Sequence, residues 1–267
     1  MSASRVGAIV LRQFYLLRGS PQRVLPMFAW VAVDIALWGF ITRYLNSVSQ
    51  SGFNFVPALL GAVLLWDFLT RVMQGVTMAF FEDVWSRNFL NFFATPLRIS
   101  EYLAGLVITG VATSLLGLVV MLVLAKVAFG LSFAAYGAAL APFLGVLFLT
   151  GIALGVFGAA IVLRLGPASE WLIWPIPTLV SPFAGVFYPV SSMPLFMQVI
   201  AAVLPPSYVF EGMRAVVAGH PAPWDRLAIG GALAVAYGLA AWLTFAAVYR
   251  YAIRTGLIAR YSAETVS

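Results

Sequence analysis

Hydrophobic and polar positions alternate along this chain on two scales. On the longer scale, apolar windows of the length needed to cross a bilayer core, about 20 residues, fall at 24 to 45, 56 to 80, 103 to 126, 134 to 163, 170 to 188 and 226 to 250. Each predicts a membrane-spanning helix. On the shorter scale, Val6, Ile9, Val10, Phe14 and Leu17 recur at helical spacing while Arg5, Arg12 and Arg18 take other positions. That pattern predicts an amphipathic helix on the membrane surface within residues 1 to 23. It reads poorly as a signal peptide, because the apolar run begins only after Arg23 and no small-residue cleavage site is evident.

The fifth window is unlike the others. From Trp171 to Phe210 the chain carries no Asp, Glu, Lys or Arg, yet it holds Pro175, Pro177, Pro182, Pro189, Pro194, Pro205 and Pro206. Lack of charge places the run in lipid, whereas proline removes backbone donors and clashes with the preceding turn. Backbone freed from a helix within hydrocarbon must be buried in protein or line a wet cavity. The expectation is a fifth span followed by a re-entrant hairpin at 189 to 215.

Composition agrees with this reading. At 63% hydrophobic and 9% charged residues, with a mean hydropathy of +1.00, the chain is expected to be an all-α integral membrane protein with little room for a soluble domain. The net charge of +6 is carried by arginines near the membrane surface and gives no ground for nucleic-acid binding. With both termini in the cytoplasm, the inner side receives Arg5, Arg12, Arg18, Arg23, Arg87, Arg98, Arg164, Arg250, Arg254 and Arg260, and the outer side Arg43, Lys126, Arg214 and Arg226. The positive-inside rule supports that orientation, which opens the hairpin outward.

Between the second and third spans, residues 82 to 101 form a loop on the inner side. Trp85, Phe89, Phe92 and Phe93 repeat at helical spacing, and Glu82 and Asp83 suit a helix N-terminus. They predict a short helix that stops before Pro96 and either anchors rings at headgroup level or meets a partner protein.

The acidic start of that loop, its aromatic run and Ala94-Thr95-Pro96-Leu97 resemble the permease subunits of type-2 ATP-binding-cassette exporters. So do the stretch from Ser181 to Pro194, the following Leu204-Pro205-Pro206-Ser207-Tyr208, and Glu211 to Arg214. The resemblance implies a single permease domain over 1 to 267 that pairs with a second copy, each resting on a cytoplasmic ATPase subunit in a bacterial inner membrane. It implies that Glu82, Asp83, Trp85, Arg87, Phe89 and Arg98 couple to that ATPase, and that the hairpin is an extracellular gate. Phe183, Phe187, Tyr188, Phe196 and Tyr208 are the gate rings that could meet cargo. Family members carry drugs, lipids or polysaccharides, so the cargo class implied is amphipathic or lipid-linked.

The energy source has to lie elsewhere. No G-x-x-x-x-G-K-[ST] loop is present and Lys126 is the chain's one lysine, so ATP and Mg belong on the partner subunit and no cofactor is expected here. His220 has no metal-ligand companion at useful spacing and no G-x-S-x-G turn occurs; the expectation is no metal and no catalysis. Charges inside spans are expensive unless paired or hydrated. Asp67 precedes Arg71 by four residues, the favourable order for an intrahelical pair, and Asp34 could reach Arg71 from the first span. These three form either a neutralised structural cluster or a polar constriction. In a rival reading, an ion-gradient-driven secondary transporter, they would be the coupling site, but such folds place broken helices in both repeats and the first half shows none. Gly151, Gly155 and Gly158 form a small-residue stripe that lets helices approach closely.

Overall fold

The computed structural model describes residues 2–19, 21–49, 56–85 and 95–257. Helix α1 (Ala3–Arg18) leads into α2 (Pro21–Val48), then α3 (Gly61–Trp85), α4 (Ile99–Phe129) and α5 (Leu140–Leu165). A short α6 (Ile176–Val180) precedes α7 (Leu195–Val203), α8 (Pro205–Val217) and α9 (Trp224–Arg254). No strand occurs among the described residues. Four segments there are long and apolar enough to cross a membrane: Val56–Phe81, Ile99–Phe129, Tyr136–Leu165 and Trp224–Arg254. The 28-residue α2 covers the expected first span.

Small residues set how closely these helices pack. A Cβ on Gly151 would lie 2.8 Å from the Leu69 carbonyl oxygen, and one on Gly155 the same distance from that of Met73. The stripe on α5 thus lies directly on the backbone of α3, as the sequence predicts. Thr77 holds this contact by donating to the carbonyls of Met73 (2.8 Å) and Gly155 (3.3 Å). On the other side of α3, Gly75 meets Gly110 of α4, where a Cβ would lie 3.1 Å from the Gly110 Cα. Lipid supplies no hydrophobic drive between helices, so such backbone approach is what joins them.

The expected fifth span differs from a regular helix. Residues Pro167–Leu172 wind as a 3₁₀ turn, α6 lasts five residues, and turns carry the chain to 188. Leu179 and Ser181 donate to carbonyls four residues back (2.8 and 2.9 Å), whereas Ile173, Ile176 and Phe183 bond three back. Pro175, Pro177 and Pro182 remove donors that a uniform ladder needs. The contacts of the stretch lie at two levels of the bundle. Ile173 lies against Gly158 near the end that carries α1, while Phe187 stacks on Trp38 (5.4 Å between ring centroids) at the opposite end.

Two further expectations change. Glu82 and Asp83 do not open a new helix; α3 continues through Trp85 and places them in its last turn. Residues 86–94, the rest of the expected loop helix, lie outside the described residues. The expected apolar face of α1 is divided: Phe14 is exposed, together with Leu11 and Tyr15, while Ile9 is buried with Gln13 and has Arg5 and Arg12 beside it. In lipid the apolar face of such a helix need not be the one that packs on protein.

Candidate functional site

Polar chemistry concentrates at three levels of the bundle. At the α1 end, Asp83 is fully buried. It is ion-paired with Arg12 of α1, and the Tyr102 hydroxyl of α4 donates to its other oxygen at 2.7 Å. Burial pushes the Asp83 carboxyl above its usual range, and the Tyr102 hydrogen bond and the Arg12 charge oppose that shift. Two helical turns earlier on α1, Arg5 lies 3.3 Å from Glu101 and donates to the Pro96 carbonyl at 2.6 Å. The Ser2 amide donates to Glu101 (2.7 Å), whose other oxygen caps α4 by accepting from the Arg98 amide (3.0 Å). Between these two junctions Ile9 fills the notch at Gly105, where a Cβ would lie 2.5 Å from the Ile9 Cγ2. Three helices are thereby fastened around the two ends of the 86–94 segment.

Midway along the bundle, Arg71 donates to Asp67 at 3.4 Å. Its stem lies over Gly117, whose Cβ would sit 3.7 Å from the Arg71 Cδ. Asp34 on α2 lies within electrostatic reach of both groups. The structure therefore brings all three intramembrane charges together, across two helices.

At the opposite end, α7 and α8 meet at a 102° bend. Leu204 takes an extended conformation there, and Pro205 and Pro206 begin α8, where proline costs no intrahelical bond. The Ser207 hydroxyl donates to the Leu204 carbonyl (2.8 Å) and the Tyr208 hydroxyl to that of Ala202 (2.7 Å), which hold the corner. Glu211 accepts from the Val190 amide (2.8 Å) and from Arg214 (2.7 Å), and Arg214 donates to the Gly185 carbonyl (2.7 Å). Gly185 has φ +66°, a conformation that favours glycine. This pair thus clamps the turn at 185–190 onto α8.

The predicted site residues fare differently. Asp83 faces inward, onto α1 and α4; Arg98 is exposed at the start of α4. Glu82 and Trp85 are helical, with side chains outside the description, and Arg87 and Phe89 lie in the undescribed segment. The gate rings do not converge. Phe183 is half-buried, Phe187 stacks on Trp38, the Tyr188 hydroxyl donates to Pro182 (2.9 Å), Tyr208 holds the corner and Phe196 is 63% exposed. Sequence reasoning missed Arg5, Arg12, Tyr102 and Glu101 as a connected set, since Arg5 and Arg12 meet Glu101 and Asp83 at separations of 96 and 71 residues.

Helices of spanning length, buried charges kept in small sets and a hinged apolar hairpin make this a multi-pass membrane permease. The chain belongs to the ABC-2 type transporter family, whose model matches residues 5–218. The matched domain is a transport permease, and membership of this family disfavours the gradient-driven alternative. A comparison with curated proteins finds no match.

Proposed function

We propose that this chain is the permease subunit of an ATP-driven exporter, working as a homodimer on two separate ATPase subunits that bind ATP and Mg. The observation that carries the reading is the family match over residues 5–218. The described residues on either side of the 86–94 segment support it, because Asp83 before it and Glu101 after it are buried carboxylates, each paired with an arginine of α1. In this scheme both termini and the 82–101 loop face the cytoplasm of a bacterium, with the irregular 167–188 stretch as the fifth of six crossings. Glu82, Trp85, Arg87, Phe89 and Arg98 meet the ATPase directly, while Asp83 positions the loop from within.

ATP-driven approach of the two ATPases moves the loop, and the motion reaches the hairpin, which opens outward. The cargo is an amphipathic drug, a lipid or a lipid-linked polysaccharide, admitted from the surrounding membrane lipids past Asp34, Asp67 and Arg71 and out beside Phe183, Phe187, Tyr188, Phe196 and Tyr208. Affinity purification in nanodiscs with an assay of vanadate-sensitive ATP hydrolysis tests this. A stoichiometric ATPase that is lost when Glu82, Trp85 and Arg87 are all changed to alanine is the expected result; a chain that purifies alone and without hydrolysis would overturn it.

A further inference from the structure

Helix α1 carries an unusual division of labour between its faces. Leu11, Phe14 and Tyr15 point away from the protein, whereas Ile9 is buried and two of the three arginines, Arg5 and Arg12, pair with buried carboxylates of the bundle. Seven residues separate the two arginines, two helical turns, so both lie on one face with Ile9 between them. Arg12 engages Asp83, the third residue from the described end of α3, and Arg5 engages Glu101, in the first turn of α4. The segment between those helices is therefore held by α1 from both of its ends.

We propose that α1 is a strut: it locks the outgoing end of α3 to the incoming end of α4 so that a displacement of the intervening loop moves both helices as one body. This rests on the transport reading above and assigns α1 a role distinct from touching the ATPase. The physical basis is the character of the two joints. Asp83 is fully buried and held by two partners on different helices, Arg12 on α1 and Tyr102 on α4. Separating α1 from α3 takes the Arg12 charge away from that buried carboxylate, and losing the cationic partner of a buried charge is strongly disfavoured. Glu101 likewise accepts from the Ser2 amide and from Arg5 while it caps its own helix. The Ile9 knob in the Gly105 notch resists sliding along the axis. Arg5 and Arg12 are thus positioning residues for transmission, and Ile9 is the pin between them.

The absence of cysteine in the chain makes a direct test practicable. A single reporter, Ser191→Cys on the exposed turn before α7, is labelled with a maleimide in the purified complex with its ATPase, with and without ATP and vanadate. The change in labelling rate on trapping reads how far the nucleotide signal reaches the hairpin without any need to know the cargo. Arg12→Gln should reduce that change at least fivefold per ATP hydrolysed, and Arg12→Lys, which keeps the charge, should restore most of it.

A second arm joins α1 to α4 covalently through Ile9→Cys with Gly105→Cys, oxidised before labelling; α1 must ease outward by about 1 Å for the sulfurs to bond. A strut that moves with α4 tolerates this lock, so the response should stay within twofold of the unlocked complex. Full response in Arg12→Gln would overturn the proposal. So would loss of response in the locked chain that returns on reduction, because α1 would then have to release during the cycle. If Arg12→Gln fails to assemble, the lock alone decides. No nucleotide response in the complex carrying the reporter alone would instead remove the transport reading, and the strut with it.

Discussion

Asp67 and Arg71 show what a charge inside this bundle demands. Their 3.4 Å contact lies where each alone would be disfavoured by several kcal/mol. Asp67→Asn takes the paired carboxylate from Arg71 and should lower thermal stability more than Asp67→Asn combined with Arg71→Gln, which removes the pair together. Nanodisc melting curves check this, and equal losses would argue against a pair. Asp83 offers a test by pH. Its folded pKa is raised above the ordinary 3.8 by burial, so the folded state holds this proton more tightly than the unfolded chain. Its contribution to stability is fully present below 3.8 and is lost as pH rises through the folded value. The melting temperature of the unmodified chain minus that of Asp83→Asn should therefore fall as pH rises from about 3.8; a difference that grows instead would show that Arg12 outweighs burial.

Among the elements, the hairpin depends on one acidic side chain. Glu211→Ala removes the acceptor shared by the Val190 amide and Arg214, so the 185–190 turn should loosen from α8. A cysteine at the exposed Ser191 should then react with maleimide several-fold faster than in the parent, with the bundle otherwise intact; an unchanged rate would show that the Gly185 bond to Arg214 suffices. On α5, Gly155→Val would press a branched side chain against the backbone of α3, where even a Cβ sits 2.8 Å from the Met73 oxygen. A loss of about 1 to 3 kcal/mol is expected from such overpacking, measured as a lower unfolding midpoint in denaturant.

Four of the expected spans were legible because membrane thickness fixes how long an apolar run must be, and prolines marked the bend at 204–206, but the 170–188 run, expected as a fifth spanning helix, is broken into short turns. The side on which α1 packs was not legible. Its periodic apolar positions serve both sides, Phe14 outward and Ile9 in the Gly105 notch, and the arginines that bind protein answer to Asp83 and Glu101, far off in sequence. For the same reason the start of the loop misled: Asp83 looks like a helix N-terminal residue until Arg12 and Tyr102 explain how it survives in the last turn of α3, against the macrodipole.

For the whole molecule, the described part of α2 presents Trp30, Val33, Leu37, Phe40, Tyr44 and Val48 on one uncovered side. Under the proposed assembly, light scattering of the purified complex should give two copies of the 28.8 kDa chain for two ATPases, and a one-to-one particle would contradict it. Under the proposed six-crossing layout, the irregular stretch at 167–188 has a mechanical consequence of its own. A 3₁₀ turn rises about 2.0 Å per residue and an α-turn about 1.5 Å, so rewinding the six residues Pro167–Leu172 from one pitch to the other alters its reach by about 3 Å. Such a segment can lengthen or shorten like a telescoping rod, shifting the two faces of the bundle axially while the helices around it stay parallel to their starting positions.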